Sequence, residues 1–175
     1  MDVIEAIKTR RSIRSFKEEK IPDEILEKIL EAATYAPSSG NLQNWEFILI
    51  KDQKAKERIA EIALGQDFIA EADVILVVCS NDRKIWRYGE RGKNLYSIQN
   101  VAAAIQNILL AANSFGVGSC WIGAFDEDEL SEFLELPKNV RVHAIIPLGY
   151  PAEKPTMPSR TNWREITFKE KYGRK

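Results

Sequence analysis

Val74-Ile75-Leu76-Val77-Val78-Cys79-Ser80 is the stretch that decides the fold of this chain. Six consecutive apolar residues end in a serine, without the alternation of apolar and polar residues that marks a strand with one face in water. A short and nearly continuous apolar run is typical of a strand that is buried on both faces. The stretch therefore predicts a central strand of a sheet that is covered on either side.

Strand and helix patterns surround this stretch in mixed order. Further strands are predicted at Glu46–Lys51, Ser119–Ile122 and Val140–Leu148. Because no regular strand–helix–strand repeat appears, we expect an α+β fold rather than a doubly wound sheet. Helices are predicted from Asp2 onward, where Asp2 and Glu5 resemble a capping box, from Pro22 to Pro37, and at Lys54–Leu64, Tyr96–Phe115 and Asp126–Leu136.

The longest helical pattern, Tyr96–Phe115, is apolar around most of its circumference. Gly116 follows it as a C-terminal stop. Such a helix is expected to be buried on nearly all sides. In so small a chain a second subunit would supply part of that burial, although the periodicity fits a packed monomer core nearly as well.

The composition is that of one ordinary globular domain. The chain has 175 residues, of which 45% are hydrophobic, and a formal net charge of −1. This balance argues against a nucleic-acid or membrane surface, and we find no signal peptide and no apolar run of the ~20 residues that span a bilayer. We expect 1–175 to form a single domain, with the proline-containing and aromatic segment 151–175 as an arm that wraps a partner subunit.

Cysteine and histidine usage narrows the chemistry. Cys79 and Cys120 lie in apolar, strand-like runs, so we expect buried, reduced thiols and a cytoplasmic protein. They lack the C-x-x-C spacing of a metal site. The one histidine, His143, lies in an alternating strand, where a structural role is favoured. We therefore predict no metal site and no side chain that acts as a nucleophile.

The first candidate site is Arg10-Arg11-Ser12-Ile13-Arg14-Ser15-Phe16, directly after the first helix. Arginine binds phosphate oxygens through two parallel hydrogen bonds, and the Ser12 hydroxyl can donate to the same oxygens. This pattern indicates a phosphate clamp. A merely solvated cluster of charges is the alternative that spacing alone leaves open.

The second candidate site is Pro37-Ser38-Ser39-Gly40-Asn41, which follows the second helix. Small hydroxyl, amide and glycine groups in one turn let backbone N–H groups come close to a polar ligand. The same residues would also simply end the helix, and both interpretations can hold together.

A third motif, Gly116-Val117-Gly118-Ser119-Cys120-Trp121-Ile122-Gly123, follows these two in order, and together they resemble the nitroreductase family of flavoproteins. The resemblance runs from about Val3 to Ile166. It implies a nitroreductase-like three-layer α/β/α sandwich with a mostly antiparallel central sheet. It also implies a homodimeric FMN enzyme that passes hydride from NADH or NADPH, through flavin N5, to a small electron-poor acceptor such as a nitroaromatic or a quinone, with ping-pong kinetics.

The resemblance also assigns roles to single residues. Arg10 and Ser12 are expected at the phosphate and ribityl chain, and Arg14 at the pyrimidine edge of the ring. The turn around Ser39 would come from the other subunit, and the Gly123 N–H would approach flavin N5. The cofactor-binding residues expected on this basis are Arg10, Arg11, Ser12, Arg14, Pro37, Ser38, Ser39, Asn41, Gln66, Ile122, Gly123 and Arg160.

The segment 83–93 (RKIWRYGERGK) is basic and carries two aromatic residues. In this family the region tends to form a mobile lid, so a role in substrate choice is expected, with a nucleic-acid patch as the alternative. Within the same fold, reductive dehalogenation or flavin-fragmenting chemistry is the alternative to the reduction of nitroaromatics or quinones. A flavin-binding protein without enzymatic activity is the alternative of another class.

Overall fold

The computed structural model describes residues 1–174 and has a four-stranded antiparallel sheet at its centre. The strand order is β1-β2-β4-β3, so β2 lies between two neighbours. Every residue from Val74 to Ser80 is buried, which confirms the central strand expected from the apolar run. The strands are β1 (Trp45–Ile50), β2 (Val74–Asn81), β3 (Gly118–Ser119) and β4 (Val140–Gly149).

Within residues 1–174, seven α-helices surround the sheet. Three of them begin at an aspartate whose carboxylate accepts a hydrogen bond from the backbone three residues on, as Asp2 does from the Glu5 N–H at 2.9 Å. A π-helical turn at Gly92–Tyr96 leads directly into α6. The helices are α1 (Val3–Thr9), α2 (Asp23–Thr34), α3 (Gln53–Ile62), α4 (Phe68–Glu71), α5 (Gly89–Arg91), α6 (Ser97–Ser114) and α7 (Glu127–Phe133).

Alternate residues of β2 face two different cores. Leu76 points to one side and packs in a cluster that includes α2 and α6. Ile75 points to the other side, into a cluster that includes α3, α4 and α7. Because successive side chains of a strand face opposite ways, one apolar strand supports both helical layers. The molecule is therefore a three-layer α/β/α sandwich with an antiparallel sheet, and the predicted α+β class is confirmed.

Helix α6 buries most of its surface against α2 and the sheet. One stripe stays exposed in the single chain, at Ile98, Gln99 and Gln106. By length and composition alone the helical run Trp86–Ser114 would be able to cross a membrane, but a core helix of a soluble protein passes the same test. Burial on nearly all sides is thus incomplete within one chain.

The third motif and the C-terminal segment contain little regular strand structure. The strand predicted at Ser119–Ile122 is paired only at Gly118–Ser119, and Ile122 returns to the sheet as a single bridge to Ile145. The segment 151–174 forms bends and turns but no helix or strand, and most of it is exposed. We call Arg10–Phe16 the arginine motif. The first residues of the segment 151–174 are tied to this motif by a Phe16–Pro151 bridge.

Candidate functional site

A positively charged cleft of about 410 Å³ lies beside the first motif, and we call it the arginine cleft. Four arginines from two distant parts of the chain line it. Among the described residues that line it there is no acidic side chain. The lining consists of Arg10, Arg11, Ser12, Arg14, Pro155, Thr156, Pro158 and Arg160.

The local fold explains why the polar side chains face this cleft. After α1 ends, the Ile13 N–H donates to the Ser119 carbonyl at 3.0 Å, which ties the motif alongside β3. Ile13 and Phe16 are buried and pack together with Ala72 beneath the motif. With these apolar residues turned inward, Ser12 and Arg14 are left toward the outside.

One nitrogen of the Arg11 side chain makes hydrogen bonds to the backbone, and another makes none. Its Nη1 atom donates to the carbonyls of Lys8 and Arg10, each at 2.8 Å, and so satisfies carbonyls at the end of α1. Its Nε atom is buried and has no hydrogen-bond partner among residues 1–174. An orphaned donor, four guanidinium groups and the Ser12 hydroxyl fit a phosphate-bearing group such as FMN.

Cys120 contacts the same cleft through Ser12. Burial raises the pKa of the Cys120 thiol, while the charge of Arg14 and the hydrogen bond with Ser12 act in the opposite direction. Both cysteines are free and buried, as expected, and burial raises the pKa of Cys79 to about 12. These protonated thiols fit a packing role.

Gly123 and Gln66 lie together in the structure, and Gly123 follows Cys120 by three residues in the sequence. Gln66 Nε2 donates to the Ala124 carbonyl at 3.1 Å, which places its amide beside Gly123. Within residues 1–174 the Gly123 N–H has no hydrogen-bond partner, and a Cβ added there would meet open space. Because three extended residues span at most about 11 Å, Gly123 lies within that distance of Cys120.

The second motif lies elsewhere in the chain. We call residues 37–43 the serine loop; its turn Ser39–Asn41 is held to α6 by Asn100, whose Oδ1 accepts from the Ser39 N–H at 2.9 Å. The arginine motif instead follows α1, and Asn113 of α6 holds the end of α1 by donating from Nδ2 to Thr9 Oγ1 at 2.9 Å, one residue before Arg10. Thirteen helical residues separate the two asparagines, which corresponds to about 20 Å. One chain therefore does not bring the two motifs together.

The segment 83–93 is a series of short helical turns rather than an open loop. Within this segment Ile85 is fully buried, whereas Trp86 is 74% exposed. Tyr88 packs edge-to-face on Tyr96 with ring centroids 5.2 Å apart, and its hydroxyl lies over Gly40 of the serine loop. The expected lid thus contacts the second motif.

Sequence reasoning missed several residues at these places. Pro155 and Thr156 line the arginine cleft, and the carboxylate of Glu153 accepts a hydrogen bond from the Arg14 N–H beside it. Asn44 and Asn100 are buried at the serine loop. Asn100 carried a signal, because an amide in the otherwise apolar pattern of α6 needs a specific hydrogen-bond partner.

Comparison with known proteins identifies the family. The sequence model of the Nitroreductase family matches residues 7–66 and 63–150. A relative in Methanothermobacter thermautotrophicus, provisionally named NADH dehydrogenase/NAD(P)H nitroreductase, is 37% identical over 159 residues, which cover 89% of this chain and 80% of the relative. An FMN reductase [NAD(P)H] of Bacillus subtilis is 32% identical over 185 residues, covering 98% of this chain and 74% of that protein.

The fold leads to the same group of proteins. The solved structure of an NADPH:FMN oxidoreductase from Vibrio harveyi in complex with NAD+ superposes with a TM-score of 0.90 at 28% identity. The match covers 97% of this chain and 77% of that one. The fold and the three motifs agree with the family match, and the chain belongs to the nitroreductase family.

Proposed function

We propose that this protein is an FMN-dependent oxidoreductase that takes hydride from NADH or NADPH and passes it to a small electron-poor acceptor such as a nitroaromatic or a quinone. The arginine cleft carries the proposal. Four arginines and Ser12 line it, and one of those arginines, Arg11, has a buried Nε without a hydrogen-bond partner among residues 1–174, in a chain that belongs to the nitroreductase family. Both substrates would use the same site in turn, which implies ping-pong kinetics.

The residues of the arginine cleft would hold the cofactor by its charged end. We propose that Arg10, Ser12 and Arg160, which line the cleft, bind phosphate oxygens, and that the exposed Arg14 lies toward the ring. When bound, FMN supplies the reversible acceptance and donation of hydride. A guanidinium at Arg14 would stabilise negative charge on the ring, and the free N–H of Gly123 would offer it a hydrogen bond.

The proposed active unit is a homodimer. Because the serine loop and the end of α1 are anchored to α6 at points about 20 Å apart, we propose that a second subunit brings its own serine loop to complete the site. Val3, Ile4 and Ile7 form an exposed apolar face on α1, a helix that packs against α6. We also propose that 151–175 wraps the partner subunit as an arm and that the protein acts in the cytoplasm, where its two free cysteines stay reduced.

The segment 83–93 is proposed as the part that selects the acceptor. The exposed Trp86 offers an aromatic face, and the contact of Tyr88 with Gly40 links the segment to the serine loop.

The visible spectrum of the purified protein tests the proposed function. It is recorded before and after anaerobic addition of NADH and then NADPH. A yellow protein that bleaches with either nucleotide supports a flavin oxidoreductase and identifies its electron donor. A colourless protein that also fails to take up added FMN would return the four arginines to a merely charged surface.

A further inference from the structure

A buried row of amide side chains connects the serine loop to the core, and the proposed function does not yet use it. Asn100 on α6 is 3% exposed, and Asn44, directly before β1, is fully buried. The Asn100 oxygen accepts hydrogen bonds from both the N–H and the hydroxyl of Ser39, at 2.9 and 3.2 Å. Buried amides are tolerated only where their hydrogen bonds are made, so this arrangement calls for a specific reason.

The row has one direction. The Ser39 N–H can only donate, so the Asn100 oxygen must face the loop and the Asn100 nitrogen must point away from it. That nitrogen donates to the Asn44 oxygen at 2.8 Å, and the Asn44 nitrogen donates to the Ser97 hydroxyl at 2.9 Å. Each side chain sets the orientation of the next, so α6 presents a fixed acceptor to Ser39.

The serine loop needs such an anchor because its backbone is unfavourable. Asn41 and Gln43 have φ values of 55° and 46°, in the left-handed region that asparagine tolerates and glutamine rarely adopts. Gly40, at φ 57°, lies so close to Tyr88 that a Cβ there would stand 2.6 Å from the Tyr88 hydroxyl. Strained conformations persist only where surrounding contacts hold them. Asn100 binds Ser39, the residue immediately before this strained run.

We propose that Asn100 and Asn44 are positioning residues, which hold the serine loop in the shape in which Ser38, Ser39 and Asn41 meet FMN. This inference rests on the proposed function. Neither asparagine contacts the cofactor in this arrangement, and both act through Ser39. The loop is thereby ordered before the cofactor arrives, which lowers the ordering cost of binding.

Three variants test the proposal. Asn100→Leu removes all three hydrogen bonds of the Asn100 side chain at similar size. Asn100→Asp keeps the acceptor for Ser39, and the row can reverse behind it because the Ser97 hydroxyl is able to donate as well as accept. Asn107→Leu is the matched control, since Asn107 lies on the same helix but donates to the Ala32 carbonyl at 3.0 Å, away from the loop.

Two measurements are made on each full-length variant: FMN affinity by flavin fluorescence, and hydrogen–deuterium exchange of the peptide 37–44. Asn100→Leu is expected to raise the FMN Kd about tenfold and to speed exchange in the loop. Asn100→Asp should recover part of the affinity, because it restores the acceptor for Ser39 but buries a carboxyl group where an amide stood. Asn107→Leu should lower the melting temperature but leave both loop measurements close to those of the wild type.

Equal loop exchange and equal FMN affinity in Asn100→Leu and the wild type would overturn the proposal. So would a loop in Asn107→Leu that loosens as much as in Asn100→Leu, because loss of global stability would then explain the effect. A wild-type protein that binds no FMN would overturn the proposed function instead. The exchange rates of the peptide 37–44 would still decide whether Asn100 orders the loop.

Discussion

The carboxylate of Glu153 accepts a hydrogen bond from the backbone N–H of Arg14, which lies 139 positions earlier in the chain. The adjacent Ala152 N–H donates to the Ser15 carbonyl at 2.9 Å, so two neighbouring bonds join the C-terminal segment to the first motif. The bonds bring Pro155 and Arg160 to one side of the arginine cleft. They also place a negative charge at the border of a site expected to bind an anion.

Glu153→Gln is expected to strengthen FMN binding at low ionic strength. The amide keeps an oxygen for the Arg14 N–H but removes the charge that opposes the phosphate. An exposed charge of this kind is worth about 0.2–1 kcal/mol, so the Kd should fall at most about fivefold. FMN titration in dilute buffer and in about 0.5 M salt checks this, because screening should remove the difference. A weaker affinity in the variant would contradict the prediction.

Arg10→Ala should weaken FMN binding by about 1.5–3 kcal/mol, because it removes a charge-assisted contact to phosphate. Arg58→Ala is the control: Arg58 forms ion pairs with Glu61 and Glu129 on the helical layer of α3 and α7. Both variants are titrated with FMN under the same conditions. Unchanged flavin retention in Arg10→Ala would remove Arg10 from the proposed site.

Gly123→Ala and Gly118→Ala should separate cofactor binding from stability. A Cβ at Gly123 meets open space, so its free energy of unfolding should stay within about 0.5 kcal/mol of wild type. If the ring lies against Gly123, the same methyl group weakens FMN binding and slows reduction by NADH.

A Cβ at Gly118 would stand 3.0 Å from Ile13 Cγ1 and 3.1 Å from the Gly149 carbonyl, and overpacking there should destabilise the protein by about 1–3 kcal/mol. Urea unfolding of both variants gives the first comparison, and stopped-flow bleaching of the Gly123→Ala holoenzyme gives the second. Normal FMN affinity and reduction in Gly123→Ala would argue against a ring close to this glycine.

The sheet and the helices could be predicted from the sequence because the patterns that indicate them involve residues close together in the chain. A continuous apolar run such as Val74–Ser80 admits few arrangements other than a doubly covered strand, and the Asp2 cap acts on the residue three positions away. The partnership of Arg160 with the first motif was expected only through the family resemblance. Composition and spacing do not show that a proline-containing tail returns to the N-terminal motif.

The contacts that sequence reasoning missed are tertiary and specific to single atoms. The amide of Asn100 meets Ser39 across 61 residues, and no periodicity encodes that meeting. The separation of the serine loop from the arginine motif, about 20 Å along α6, likewise depends on where each motif is tied to the helix. Such distances follow from packing and not from the order of motifs in the chain.

His143 is expected to make stability depend on pH. Burial lowers the pKa of His143, the charge of Arg141 acts in the same direction, and Nε2 lies 2.7 Å from the Ser80 hydroxyl. Because the unfolded chain binds the proton more readily, the free energy of unfolding should fall as the pH drops below about 6.5 and stop falling beneath the lowered folded pKa.

Urea unfolding between pH 7.5 and 5 compares wild type with His143→Gln, which lacks this titration. The difference in their free energies of unfolding should change by no more than about 1.4 kcal/mol per pH unit, since one proton is involved. Parallel pH profiles for the two proteins would assign the acid sensitivity to carboxylates instead.

Ile4→Glu should separate the subunits of the proposed dimer and release FMN with them. Ile4 is 55% exposed in the single chain, and burying a carboxylate at an apolar interface should raise the dimer Kd at least about a hundredfold. Loss of the partner removes the second serine loop, so flavin affinity should fall together with dimerisation. Sedimentation velocity and FMN titration at matched protein concentrations measure the two effects.

Phe133→Glu is the control for this prediction, because Phe133 is 38% exposed on α7, in the opposite helical layer. It should leave both the dimer and the flavin in place. A monomeric Ile4→Glu protein that still binds FMN with wild-type affinity would show that the arginine cleft holds the cofactor without help from a second subunit. A variant that stays dimeric would instead place the interface away from α1.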